Sequence, residues 1–204
     1  NSFRIRATNW QPGCIILIDV MPRPLTPAIL VLAGALSAAP GRAATLERLS
    51  MDEMIHQSTE IVRGRVMTVG VSTKGSGLYT LARVEVLERW KGPTGRTVEI
   101  WIPGGRSGNL RQTFSGAPSL SVGGEYVLFL WAGSSGNRQV IGFSQGAFDV
   151  KLDAKGSPQM QRAATSEAML DDRGQQVEDV PVRMSLAELR KKLRSVLGLT
   201  GGAE

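Results

Sequence analysis

Ile61-Val-Arg-Gly-Arg-Val66 decides the architecture. Apolar and cationic residues alternate through it. Val62, Gly64 and Val66 fall on one face and Arg63 and Arg65 on the other, the period-2 pattern of a strand with one side buried. The pattern slips across Met67 to Val71, where a β-bulge is expected. Thr73-Lys-Gly-Ser-Gly77 is a turn cluster. Alternation then resumes from Leu78 to Trp90, with Ala82, Val84 and Val86 facing one way and Arg83 and Glu85 the other. Lys91-Gly-Pro-Thr-Gly95 turns the chain into a third run, Thr97 to Ile102, whose Val98, Ile100 and Ile102 point inward.

Tyr126-Val-Leu-Phe-Leu-Trp131 is unbroken apolar, the signature of a strand buried on both faces. After a turn at Gly133 to Asn137 comes a fifth strand, Gln139 to Phe143. Ala147 to Leu152 and Gln159 to Arg162 form a hairpin around Asp153-Ala-Lys-Gly156. Two capping boxes mark short helices. Ser50 with Glu53 starts one that ends near Gln57, stapled by Leu49 and Met54. Ser185 with Glu188 starts another, stapled by Met184 and Leu189, with a stripe of Leu186, Leu189, Leu193, Val196 and Leu197 and a stop at Gly198. Short strands, Gly-rich turns and no helices between them predict an all-β fold with two short helices. The expected form is a small five-stranded barrel of the oligonucleotide/oligosaccharide-binding (OB) type, plus a β-hairpin and a C-terminal amphipathic helix. The connection from Gly104 to Glu125 has no strong pattern and is long enough to be functional.

The 204 residues hold one Cys and one His, which excludes a disulfide framework and a Cys/His zinc site. Met21-Pro-Arg23-Pro, the uncharged run from Leu25 to Leu36 and the small residues from Ser37 to Ala44 have the layout of a Sec-type signal peptide cut after Ala43. The run is too short to span a bilayer, and no transmembrane segment is expected in the mature chain. The expected organisation is an upstream translated segment (1–20), a signal peptide (21–43), the barrel domain (44–163), a polar linker (164–184) and a C-terminal helix with tail (185–204). Residues 1–43 carry four cations (Arg4, Arg6, Arg23, Arg42), one anion (Asp19) and the lone Cys14, so the formal charge of +6 falls by three on export to the periplasm or beyond. That small excess does not favour nucleic acid.

Gly142-Phe-Ser144-Gln-Gly146 matches the nucleophile elbow only formally, because the residues after it read as strand and the single His56 lies far upstream. The two glycines are expected to permit a bend. Glu85, Glu88 and Glu99 lie on strands, and Glu85, opposite cationic neighbours, reads as solvated surface. Gly104 to Arg111 resembles a Gly-rich loop more than an anion cradle, and the basic C-terminal helix is expected to pack on the barrel rather than on a membrane. Trp101 is read as the one aromatic on an outward strand phase. With no catalytic set, metal or cofactor indicated, the expectation is an exported, non-enzymatic module that binds a protein or envelope ligand through Arg106, Asn109, Arg111, Phe114 and Trp101. Two alternatives stand beside it: a secreted hydrolase using carboxylates or Ser144, and a protease inhibitor acting through its loop.

Several segments, in order, resemble uncharacterised exported bacterial proteins related to netrin/TIMP-like domains. They are Glu60 to Val66, Val84 to Gly92, Val98 to Gly105, Ser115 to Pro118, Val122 to Leu130 and Ile141 to Gly146. The resemblance covers about residues 48–152 and implies an OB-like barrel. It does not carry over the inhibitory mechanism of that group, whose N-terminal cysteine has no counterpart at Ala44-Thr45.

Overall fold

The alternating runs form two long strands that pair along their whole length. A computed structural model describes residues 45–198. Along the chain these are β1 (Thr45–Glu47), α1 (Met51–Gln57), β2 (Glu60–Lys74), β3 (Gly77–Lys91), β4 (Thr97–Pro103), β5 (Gly105–Ser107), β6 (Leu110–Gln112), β7 (Glu125–Ala132) and β8 (Arg138–Val140). A short 3-10 turn (Phe143–Gly146) follows. Then come β9 (Ala147–Leu152), β10 (Pro158–Arg162), β11 (Ala168–Leu170), β12 (Gln176–Val177), β13 (Val182–Ser185) and α2 (Leu186–Leu197).

Five strands form the ring. β2 pairs antiparallel with β3, β3 with β4, and β7 with both β2 and β8, while β4 meets β8 in parallel through the single bridge Ile100↔Arg138. The circular order is therefore first, second, third, fifth, fourth, with the third and fifth parallel. Closure through one bridge leaves the ring partial, as in the partly open OB barrel. Val62, Val66, Ala82, Val84, Val98, Ile100, Ile102, Leu128, Leu130 and Val140 fill its interior.

A second core lies outside the ring. The chain leaves β8, bends through the 3-10 turn and returns as β9 on the same edge of β7. β10 and β13 then extend the sheet. Period-2 alternation sends Ile61, Val127, Phe129 and Phe148 to this outer face. There they meet Met54 and Ile55 of α1 and Leu186, Leu189 and Leu193 of α2. Phe129 and Phe148 pack edge to face with centroids 5.7 Å apart. Both helices carry the expected capping boxes, and α2 docks on the chain's own sheet.

Several expectations change. The bulge appears as a register shift between Val66 and Thr68. The run Tyr126–Leu130 is buried on both faces, but Trp131 is 39% exposed because it lies past the end of that double cover. The fifth strand stops at Val140, since Gly142 at φ 59 begins the turn. Residues 164–184, expected as a polar linker, carry β11, β12 and the start of β13. β11 pairs in parallel with β1, so this stretch ties the N-terminal strand into the fold and is continuous with the 44–163 unit. Its polar composition hid two anchors. Asp179 accepts from Nη1 and Nη2 of Arg162 and from the Thr165 amide. Burial pushes the Asp179 carboxyl up, but these hydrogen bonds outweigh it and hold it below its ordinary range. The expected upstream segment, the signal peptide and the last residues of the tail lie outside the described residues.

Candidate functional site

The connection expected to be patternless folds at its start. Gly105–Ser107 and Leu110–Gln112 form a two-stranded ribbon around Gly108-Asn109, with Gly108 at φ 58. Both sides of the ribbon are tethered to Leu78. The Gly104 amide donates to its carbonyl at 2.9 Å, and the Leu78 amide donates to Gln112 Oε1 at 2.7 Å. Thr80 Oγ1 also donates to the Gly104 carbonyl at 2.9 Å. Glycine is required at position 104, where φ is 96 and a Cβ would sit 2.8 Å from the Gln112 carbonyl oxygen.

Arg106 and Arg111 stand directly opposite each other on the ribbon, and both are exposed. Like charges facing across two strands weaken the pairing. Arg106 Nε reaches only the Gly108 carbonyl at 3.4 Å, and among the described residues neither guanidinium pairs with a carboxylate. Asn109 is exposed at the tip. Phe114 instead folds back to within 3.4 Å of the position a Gly104 Cβ would take, and is half-buried.

Trp101 is not part of this cluster. Thr80 and Val71, against which Gly105 packs, lie on the inner face of the β2–β3–β4 sheet. Trp101 lies on the outer face, edge to face with Tyr79 at 5.6 Å, with Lys74 Nζ 5.8 Å from its ring. Tyr79 joins Trp101 there, because its place in the alternation with Leu81 and Arg83 puts it on the outward phase. Of the five expected residues, the fold thus joins Arg106, Asn109 and Arg111, uses Phe114 as packing, and places Trp101 across the sheet.

The far part of β2 completes this end of the molecule. Val69 and Val71 are 38% and 46% exposed, and Met67 at the bulge is 48% exposed. Val69 and Val71, opposite Ala82 and Thr80, share the inner side of the hairpin with the ribbon, since a Gly105 Cβ would lie 3.5 Å from a Val71 methyl.

Other chemistry-bearing groups hold the structure together. Ser144 lies in the 3-10 turn, its amide donating to the Gly116 carbonyl at 2.9 Å, and a strand follows where an elbow needs a helix. Its neighbour Gln145 is buried. Oε1 accepts from the Leu49 amide and Nε2 donates to the Glu47 carbonyl, both at 2.9 Å, so the motif pins the chain between β1 and α1. His56 is exposed in the last turn of α1. Lys91 Nζ donates to the Ile55 and His56 carbonyls, capping that helix, and burial pushes its pKa down. Glu88 accepts from Arg190 Nε and Nη2, both at 2.7 Å, and from Trp90 Nε1 at 2.8 Å. The Arg190 bonds hold its carboxyl below the usual range. Glu60, 3% exposed, pairs with Arg89 and Arg138.

Among the described residues no helix is long and apolar enough to cross a membrane, and no three His, Cys, Asp or Glu side chains gather as a metal set. In comparison with known proteins, no protein-family model matches the chain and no curated protein matches it.

Proposed function

We propose that the protein is an exported binding module whose partner is an acid-bearing protein of the cell envelope, captured at the far end of the β2–β3 hairpin. The observation that carries this reading is the facing pair Arg106 and Arg111. A ribbon that sets two guanidinium groups opposite one another, with no carboxylate among the described residues to offset them, is stabilised when an external anion supplies it. The Tyr79–Trp101 pair with Lys74 adds an aromatic and cationic patch on the second and third ring strands, the face OB-type barrels use for ligands. The leader-like N-terminal sequence supports export, and the ordered resemblance of residues 48–152 supports kinship with the netrin/TIMP-like group.

Immobilised wild-type protein and an Arg106→Glu/Arg111→Glu variant, incubated with envelope extract, test the proposal. We expect the wild type to retain acidic proteins that the variant loses, while Trp101→Ala weakens retention by a smaller factor. Identical sets of partners on wild type and the double variant would overturn the reading.

A further inference from the structure

The hydrogen bonds along β3 define which way the backbone of β2 points. Leu78 directs its carbonyl and amide away from β2, to Gly104 and Gln112, and Val86 donates to Arg96 on the same side. Residues of β3 with that parity therefore face β4, and their partners on β2 face away from β3. Those partners are Thr73 opposite Leu78, Val71 opposite Thr80, and Val69 opposite Ala82. The register of β7 on β2 ends at Arg65, and Gly123 and Gly124 take the Val66 backbone groups. Past that point no strand among the described residues pairs with this edge. The amides and carbonyls of Val69, Val71 and Thr73 thus form an unpaired edge at two-residue spacing, beside half-exposed valine side chains and next to the Arg106–Arg111 ribbon.

We infer that residues 67–74 of β2 form a strand-addition site for an extended, acid-bearing peptide segment of another protein. Such a segment takes the edge backbone bonds, lays alternate apolar side chains on Val69 and Val71 on the inner side, presents the carboxylates between them to Lys74 on the outer face, and meets Arg106 and Arg111 with acidic residues at its end. Main-chain pairing supplies affinity and the side-chain positions supply selectivity. The cations choose this occupant over a second copy of the chain, which would bring Arg106, Arg111 and Lys74 of both copies to one seam. The inference rests on the binding reading above and names the partner's form.

The test uses the full chain and a blocked peptide of alternating valine and glutamate with a pair of glutamates at each end, together with its lysine-for-glutamate counterpart. We expect the acidic peptide to slow hydrogen exchange at the Val69, Val71 and Thr73 amides and the lysine peptide to leave them unchanged. Val71→Pro and Val69→Pro remove an edge donor without touching the bonds to β3, and each should weaken binding about tenfold. Arg106→Glu/Arg111→Glu, on the surface ribbon, should weaken it comparably and guards against a proline variant that fails to fold. If the double charge variant loses the peptide while the folded proline variants bind normally, the edge site is overturned and the binding reading survives. Loss of neither sinks both. Amide protection that rises with protein concentration alone assigns the edge to a second copy, and an oligothymidylate that displaces the peptide and binds the proline variants equally assigns the ribbon to nucleic acid. Either result overturns the inference.

Discussion

Residues 60–66 and 67–74 belong to one strand, β2, and meet the rest of the molecule differently. The near half is bonded on both edges, to β3 and to β7, and has Val62 and Val66 inside the ring and Ile61 under the helices. The far half is bonded on one edge and leaves Met67, Val69 and Val71 exposed. The bulge at Met67 is the boundary. It swaps the parity of the strand, so valines that would have faced the outer side join the inner side beyond the end of the ring core. A single continuous strand thereby gives a core-packed, doubly bonded segment at one end and an edge unpaired among the described residues at the other.

Substitutions at the near half should destabilise and those at the far half should not. The largest effect is expected from Ile61→Ala, a fully buried side chain whose removal leaves a cavity between sheet and helices, at about 3 kcal/mol in denaturant unfolding. Glu60→Ala strips the partner from Arg89 and Arg138. Because Arg138 is about a third exposed and regains water, the loss should fall near ~2–3 kcal/mol, below the full cost of an orphaned buried charge. For Gly64→Ala the new Cβ would lie 2.4 Å from a Val84 methyl and 2.6 Å from the Glu85 carbonyl oxygen, and about 2 kcal/mol should be lost through overpacking. Equal stability of the Gly64→Ala variant would show that the near half is not tightly seated on β3.

Acid should loosen the same half next. Glu88 faces Arg63 across the strands and binds Arg190 of α2. Its folded pKa lies below its ordinary 4.5. The stabilisation it contributes is present above that ordinary value and is lost as pH falls through the folded one. Tm should therefore drop more steeply below about pH 4.5 in the wild type than in Glu88→Gln. The smallest effect belongs to the far half. Val71→Thr should change unfolding free energy by less than about 0.5 kcal/mol. A large loss there would mean that the edge already packs within the fold and would blur the contrast.

Much of this frame was legible before folding was considered. Alternation at Val62, Gly64 and Val66, the phase slip after Val66 and the two capping boxes depend on neighbours within a few residues. So does the solid run Tyr126–Leu130, which implied cover on both sides. The ribbon was not legible, because Gly105–Ser107 and Leu110–Gln112 are too short to show a period and are held by Leu78, more than twenty residues away. Neither was the sheet of β1, β11 and β12: residues 164–184 read as a polar linker, and the sheet is fixed by the Arg162–Asp179 pair and by the parallel pairing of Thr45–Glu47 with Ala168–Leu170.

The sequence by itself determined the class of fold, the strand faces and the helix ends, since each rests on local periodicity and local capping. Only the tertiary structure decided that Arg106 and Arg111 face one another, that Trp101 stands across the sheet from them, and that the edge of Val69, Val71 and Thr73 stays open. Those facts depend on which distant strand arrives beside which, and ring closure through β4 and β8 sets that arrangement.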